Sequence, residues 1–77
     1  MGDLTDLEKD ILVFLLTDGA NAPKPIAEAV DSHRNSVSRS LSNLAEEGLV
    51  IDKGSGVWTL SCIGTMVARA LYRDRKS

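Results

Sequence analysis

The segment Ser32-His33-Arg34-Asn35-Ser36-Val37-Ser38-Arg39-Ser40-Leu41-Ser42-Asn43-Leu44-Ala45-Glu46-Glu47-Gly48-Leu49-Val50 changes its periodicity once, and that change decides the fold. Val37, Leu41 and Leu44 stand at helical spacing and predict a buried stripe. Ser32 is placed to cap this helix, which covers about 33–47, and Gly48 supplies its stop. Beyond Gly48 the runs Leu49-Val50-Ile51-Asp52-Lys53 and Val57-Trp58-Thr59-Leu60 are β-rich and flank Gly54-Ser55-Gly56. They predict a hairpin over 49–60 with a glycine-permitted turn.

Upstream, after a loop carrying Asn21 and Pro23, Pro25 is placed to start a short helix whose Ile26, Ala27, Ala29 and Val30 offer a small, close-packing face. Asp31 breaks that pattern. Two helices joined by so short a turn make a helix-turn-helix over 25–47. At the start of the chain, Thr5 and Glu8 form a capping box ahead of Leu7, Ile11, Phe14 and Leu15, and Asp18-Gly19 closes the helix. Asp6, Glu8 and Asp10 lie where the helix dipole favours acids. At the other end Ser61 can cap a last helix over 62–74, with Ile63, Met66, Val67, Ala70 and Leu71 as its apolar stripe. The expected fold is mainly α with a small β-hairpin, in the order α-α-α-β-β-α, forming a single domain over 1–77.

The 77 residues, 43% of them hydrophobic and 26% charged, leave little room for a two-lobed enzyme yet are too apolar for a disordered tail. One Cys and one His cannot make a zinc site within the chain, and neither a metal nor another cofactor is expected. The apolar run Ile11 to Leu16 is far short of a membrane span. A soluble, cytoplasmic protein is the expectation. Nine Lys and Arg against eleven Asp and Glu give a net charge of −2, which opposes indiscriminate coating of nucleic acid.

Charge placement is more informative than charge total. From Ser32 to Ala45 there is no acid. Opposite the Val37 stripe the helix carries Asn35, Arg39, Ser42 and Glu46, flanked by Ser36, Ser38 and Asn43. Such side chains suit a DNA groove: Arg donates twice to guanine, Asn pairs with adenine, and Ser reaches phosphate or base without bulk. Five serines, Ser32, Ser36, Ser38, Ser40 and Ser42, crowd a helix that their propensity does not favour. A merely solvated polar face is the competing reading. The second helix of a helix-turn-helix enters the major groove with its N-terminal residues leading, and His33 and Arg34 stand there.

The chain resembles the winged helix-turn-helix family of DNA-binding domains. Ile26-Ala27-Glu28-Ala29-Val30, Ser32 to Arg39, Leu41-Ser42-Asn43-Leu44-Ala45-Glu46-Glu47-Gly48-Leu49-Val50 and Val57-Trp58-Thr59-Leu60-Ser61 carry the resemblance, which spans Leu4 to about Tyr72. It is similar in flavour to small archaeal and archaeal-virus regulators of the phage-repressor kind. One departure is Cys62-Ile63-Gly64, where many relatives have a charged residue before the glycine. The resemblance implies that residues 32–43 carry the groove contacts and that the hairpin tip, Lys53 to Gly56, reaches the adjacent minor groove or backbone. The expected DNA-contacting residues are His33, Arg34, Asn35, Ser36, Ser38, Arg39, Ser42, Asn43 and Lys53, with Lys24 touching the flanking phosphates.

Trp58 and Leu60 share one strand face, which favours packing over stacking on a ligand. Cys62, with no cation adjacent in sequence, reads as a small buried or cap-region residue rather than a redox sensor. Residues 1–18 hold five acids against Lys9, whereas residues 62–77 hold four bases against Asp74. In the family that the chain resembles, first and last helices often build the dimer interface, so the resemblance implies a homodimer with complementary ends, or else a basic tail that follows DNA phosphates. Double-stranded DNA is the expected partner, and no membrane. The expected function is a sequence-specific transcription regulator, a repressor by preference and not an enzyme. The alternative is a winged-helix module that binds protein without DNA.

Overall fold

A computed structural model describes residues 4–76. The first helix, α1 (Asp6–Asp18), begins at the expected capping box: Thr5 Oγ1 accepts from the Glu8 N–H at 3.2 Å, and Glu8 Oε1 accepts from the Thr5 N–H at 3.0 Å. Gly19, at φ 85°, ends it. The second helix, α2 (Pro23–Ala29), starts two residues earlier than Pro25 suggests. Both prolines fit its first turn, where an N–H would have no helical acceptor, and the first helical bond runs from the Ile26 N–H to the Ala22 carbonyl. Ala29 is exposed rather than part of the packing face.

The turn between α2 and the third helix, α3 (Arg34–Glu46), corrects the expected cap. His33, not Ser32, is the N-cap residue, and its side chain makes no capping bond. Ser32 lies in the closure of α2, where its N–H donates to the Ala27 carbonyl at 3.0 Å around Asp31 at φ 54°, and α3 starts one residue too late for Ser32 to be its cap. The same six-to-one closure recurs at the end of α3, where the Leu49 N–H reaches the Leu44 carbonyl at 2.9 Å around Gly48 at φ 77°. Leu49 therefore belongs to the helix stop and leaves the strand one residue shorter.

Strands β1 (Val50–Asp52) and β2 (Trp58–Leu60) pair antiparallel, with Val50 opposite Leu60 and Asp52 opposite Trp58. Lys53 and Val57 lie just outside the strands, although the Lys53 N–H still donates to the Val57 carbonyl at 2.8 Å. Asn21 adds a one-residue bridge on the far side of β2, exchanging backbone bonds with Trp58 at 3.0 and 2.9 Å. This ties the α1–α2 loop to the hairpin.

The last helix, α4 (Cys62–Lys76), shows the largest departure from the expected packing. Gly64 and Ala68 are buried, while Ile63 is 60% and Met66 69% exposed and Ala70 also faces out. Only Val67 and Leu71 of the expected stripe pack against the core. The cause is the close approach of α4 to the end of α3: a Cβ on Gly64 would stand 1.8 Å from the Leu49 carbonyl oxygen. Ser61 fastens this junction. Its N–H donates to the Leu49 carbonyl, its hydroxyl donates to the Gly48 carbonyl, and its Oγ accepts from the Gly64 N–H at 3.0 Å. Ser61→Ala should cost about 1–2 kcal/mol, because the half-buried Gly64 N–H loses its acceptor. Thermal unfolding followed by circular dichroism should show a midpoint lower by roughly 5–10 °C.

The core draws on every element but β2: Ile11, Leu12 and Leu15 from α1, Ile26 and Ala27 from α2, Val37, Leu41 and Leu44 from α3, Leu49, Val50 from β1 and Ala68 from α4. Trp58 and Leu60 pack against it half-buried, in keeping with their shared strand face. Cys62 is exposed at the first position of α4, the cap-region alternative of the two expected. Helices α1 and α4 lie together, and the Arg75 guanidinium pairs with Asp10. The opposite charges of the chain ends are thus partly spent within one molecule. Asp3 and Ser77 lie outside the described residues. No helix among the described residues is long and apolar enough to cross a membrane.

Candidate nucleic-acid interface

Helix α3 turns Val37, Leu41 and Leu44 fully inward, and this orientation fixes what it shows to solvent. At 3.6 residues per turn, Asn35, Arg39, Ser42 and Glu46 form the outer line, with Ser36 and Asn43 beside it. All six are exposed. Ser38 is the exception among the expected contacts, half-buried at the rim near the core stripe.

His33 and Arg34, both exposed, begin α3, and Lys24 stands close by in the first turn of α2. Together with Ala27, Glu28, Asp31 and Ser32 they line an open cleft of about 600 Å³. The helix-turn-helix thereby gathers Lys24, His33 and Arg34 at one end of the outer line. Lys53 is not part of that cleft. It sits exposed at the wing tip beside Asp52, whose Oδ1 accepts from the Gly54 N–H at 2.8 Å. Gly54 and Gly56, at φ 93° and 77°, allow the chain to reverse there. The wing pairs one cation with one anion and offers little net attraction to phosphate.

The ends of α3 are charged against its own dipole. Its first turn has no acid and contains Arg34; its last turn has no base and contains Glu46, followed by Glu47 at the C-cap. Helix α1, with Asp6 and Glu8 in its first turn, is charged the favourable way. Each misplaced exposed charge costs a few tenths of a kcal/mol to about 1 kcal/mol at low salt. Arg34 and Arg39 also have no ion-pair partner among the described residues. These cations do not serve the stability of the helix that carries them. Arg34→Glu should leave the melting temperature unchanged or slightly raised while weakening affinity for duplex DNA on every sequence, a combination that paired thermal melts and gel shifts would detect.

Among the described residues no group of three or more His, Cys, Asp or Glu is placed to hold a metal ion. A polar helix face backed by a helix-turn-helix and a short hairpin defines the class of winged helix-turn-helix domains. Within that class, the chain belongs to the TrmB family, described as sugar-specific transcriptional regulators, whose model matches residues 2–73. No curated protein matches the chain closely enough to count as a relative.

Solved structures agree on the fold. A MarR family regulator from Neisseria meningitidis, NMB1585, superposes with a TM-score of 0.83 at 25% identity, over 96% of this chain and 56% of that one. Wild-type ZitR of Lactococcus lactis gives 0.86 at 24% identity, over 97% and 53%. The chain thus spans little more than half the length of these regulators. The Zalpha domain of Carassius auratus PKZ, solved in complex with Z-DNA, gives 0.67 at 28% identity, over 71% of this chain and 92% of that domain.

Proposed function

We propose that this chain is a sequence-specific, double-stranded DNA-binding transcription regulator that reads the major groove with α3. The observation that carries this reading is the charge pattern of α3: exposed, unpaired Arg34 and Arg39 in a stretch without acids from Ser32 to Ala45, with Arg34 set in the first turn against the helix dipole. Membership of a family of transcriptional regulators supports it, and the Z-DNA complex of the Carassius auratus Zalpha domain supports the coarser point that a similar fold binds DNA. Base edges fall to Asn35, Arg39 and Ser42. Lys24, His33, Arg34, Ser36 and Asn43 serve the flanking phosphates, with Ser38 and Lys53 as minor contacts.

Residues 1–77 act as one winged-helix unit working on DNA in the cytoplasm, without catalysis or cofactor. A repressor is the preferred direction of control. The protein pairs as a homodimer through the outward sides of α1 and α4, where Ile63 and Met66 are exposed. Two copies would set their α3 helices roughly 34 Å apart on an inverted repeat.

The weakly charged wing and the net charge of −2 favour one rival, a winged-helix module that binds protein. Gel shifts against genomic fragments at low and moderate salt separate the two. Bands that resist competitor DNA are the expected result. Their absence at both salt concentrations, with the protein folded, would favour the protein-binding module.

A further inference from the structure

The outer line of α3 ends in a carboxylate. Glu46 lies seven residues beyond Arg39, within about 20° of it around the helix and about 10 Å further along the axis. It is exposed, and no ion pair among the described residues engages it. The last turn of α3 holds no base, so the carboxylate faces the negative end of the helix dipole uncompensated.

Chemistry restricts what a carboxylate on a groove-facing line can meet. It is acceptor-only, it repels phosphate, and the base edges of the major groove offer it amino donors alone, with cytosine N4 the usual partner of Glu. We infer that Glu46 is a specificity-determining residue of the DNA-reading face and accepts a hydrogen bond from the N4 amino group of a cytosine. The inference rests on the DNA-reading role of α3 proposed above. Arg39, reading guanine from the same line, then fixes the distance. With about 10 Å of helix rise between the two side chains, the cytosine lies a few base-pair steps from that guanine, on the side toward which α3 runs. Ser42, between the two, is small enough to let both reach the groove floor.

Glutamine has nearly the same shape but pairs bidentately with adenine. Selection from a random duplex library, run in parallel with wild type, Glu46→Gln, Glu46→Ala and Glu47→Gln, tests the assignment. Glu47 is the control, because it loses the same charge but stands about 100° around the helix. The wild-type motif should contain a guanine and a cytosine a few steps apart, and Glu46→Gln should exchange that cytosine alone for adenine. On the wild-type site Glu46→Gln should bind roughly five- to a hundredfold more weakly, with affinity regained on the adenine site. Glu47→Gln should return the wild-type motif. A cytosine preference that survives Glu46→Ala, which leaves no acceptor at that position, or that Glu47→Gln alters in the same way, overturns the role of Glu46 and leaves DNA reading intact. Failure of the wild type to select any motif overturns DNA reading itself, and the role of Glu46 with it.

Discussion

Arg39→Ala should weaken binding to the selected DNA site roughly ten- to a hundredfold, and the loss should be confined to one position of the motif. The size of the effect follows from geometry. Arg39 is exposed on the outer line of α3, opposite Val37 and Leu41, and makes no ion pair among the described residues. Its guanidinium is free to donate two parallel bonds to a guanine edge. Alanine is the better helix former, so the variant should melt at the same temperature or above it. Fluorescence anisotropy on the wild-type site and on sites changed at each position would separate lost base reading from lost phosphate attraction. Equal weakening on every site would assign Arg39 to the backbone. Unchanged binding on all of them would remove α3 from the interface.

The second large effect concerns the fold. Gly64→Ala should destabilise the domain by about 3 kcal/mol or more, enough to consume most of the stability of so small a chain. An added Cβ would stand 1.8 Å from the Leu49 oxygen and 2.7 Å from its carbonyl carbon, and both atoms are backbone. Relief requires moving α4 away from the end of α3, which breaks the Ser61 bonds to Gly48 and Leu49. The resulting loss of cooperative melting would be visible by circular dichroism. A melt within a few degrees of wild type would show that α4 does not approach Leu49 so closely. Cys62 and Ile63 put no charged residue ahead of Gly64, and α4 still begins at Cys62.

Much of this was legible in the residues. The capping box of Thr5 and Glu8 located α1, and the spacing of Val37, Leu41 and Leu44 oriented α3, which in turn decided which polar residues face solvent. The errors have separate physical origins. Two prolines, Pro23 and Pro25, both fit a first helical turn, so proline alone could not choose between them. Ser32 is a good N-cap by residue type, but the backbone that closes α2 around Asp31 sets the start of α3 at Arg34, which puts His33 and not Ser32 at the cap position.

Helix α4 carries two stripes, one of large residues and one of small. Hydrophobicity selected Ile63 and Met66, whereas close approach to Leu49 selected Gly64 and Ala68. A contact made by a missing side chain leaves no hydrophobic signal. The Asn21 bridge was hidden for another reason, since a strand of one residue has no period. In the candidate interface, the outer line of α3 followed from its period. The charge conflict with the dipole required knowing where the helix begins and ends.

The central claim is that the exposed face of α3 reads DNA sequence, and selection of wild-type protein against random duplexes tests it most directly. Enrichment of an inverted repeat, with half-site centres about one helical turn apart, is the predicted result. No enriched motif at low salt, from protein shown by circular dichroism to be folded, would contradict it.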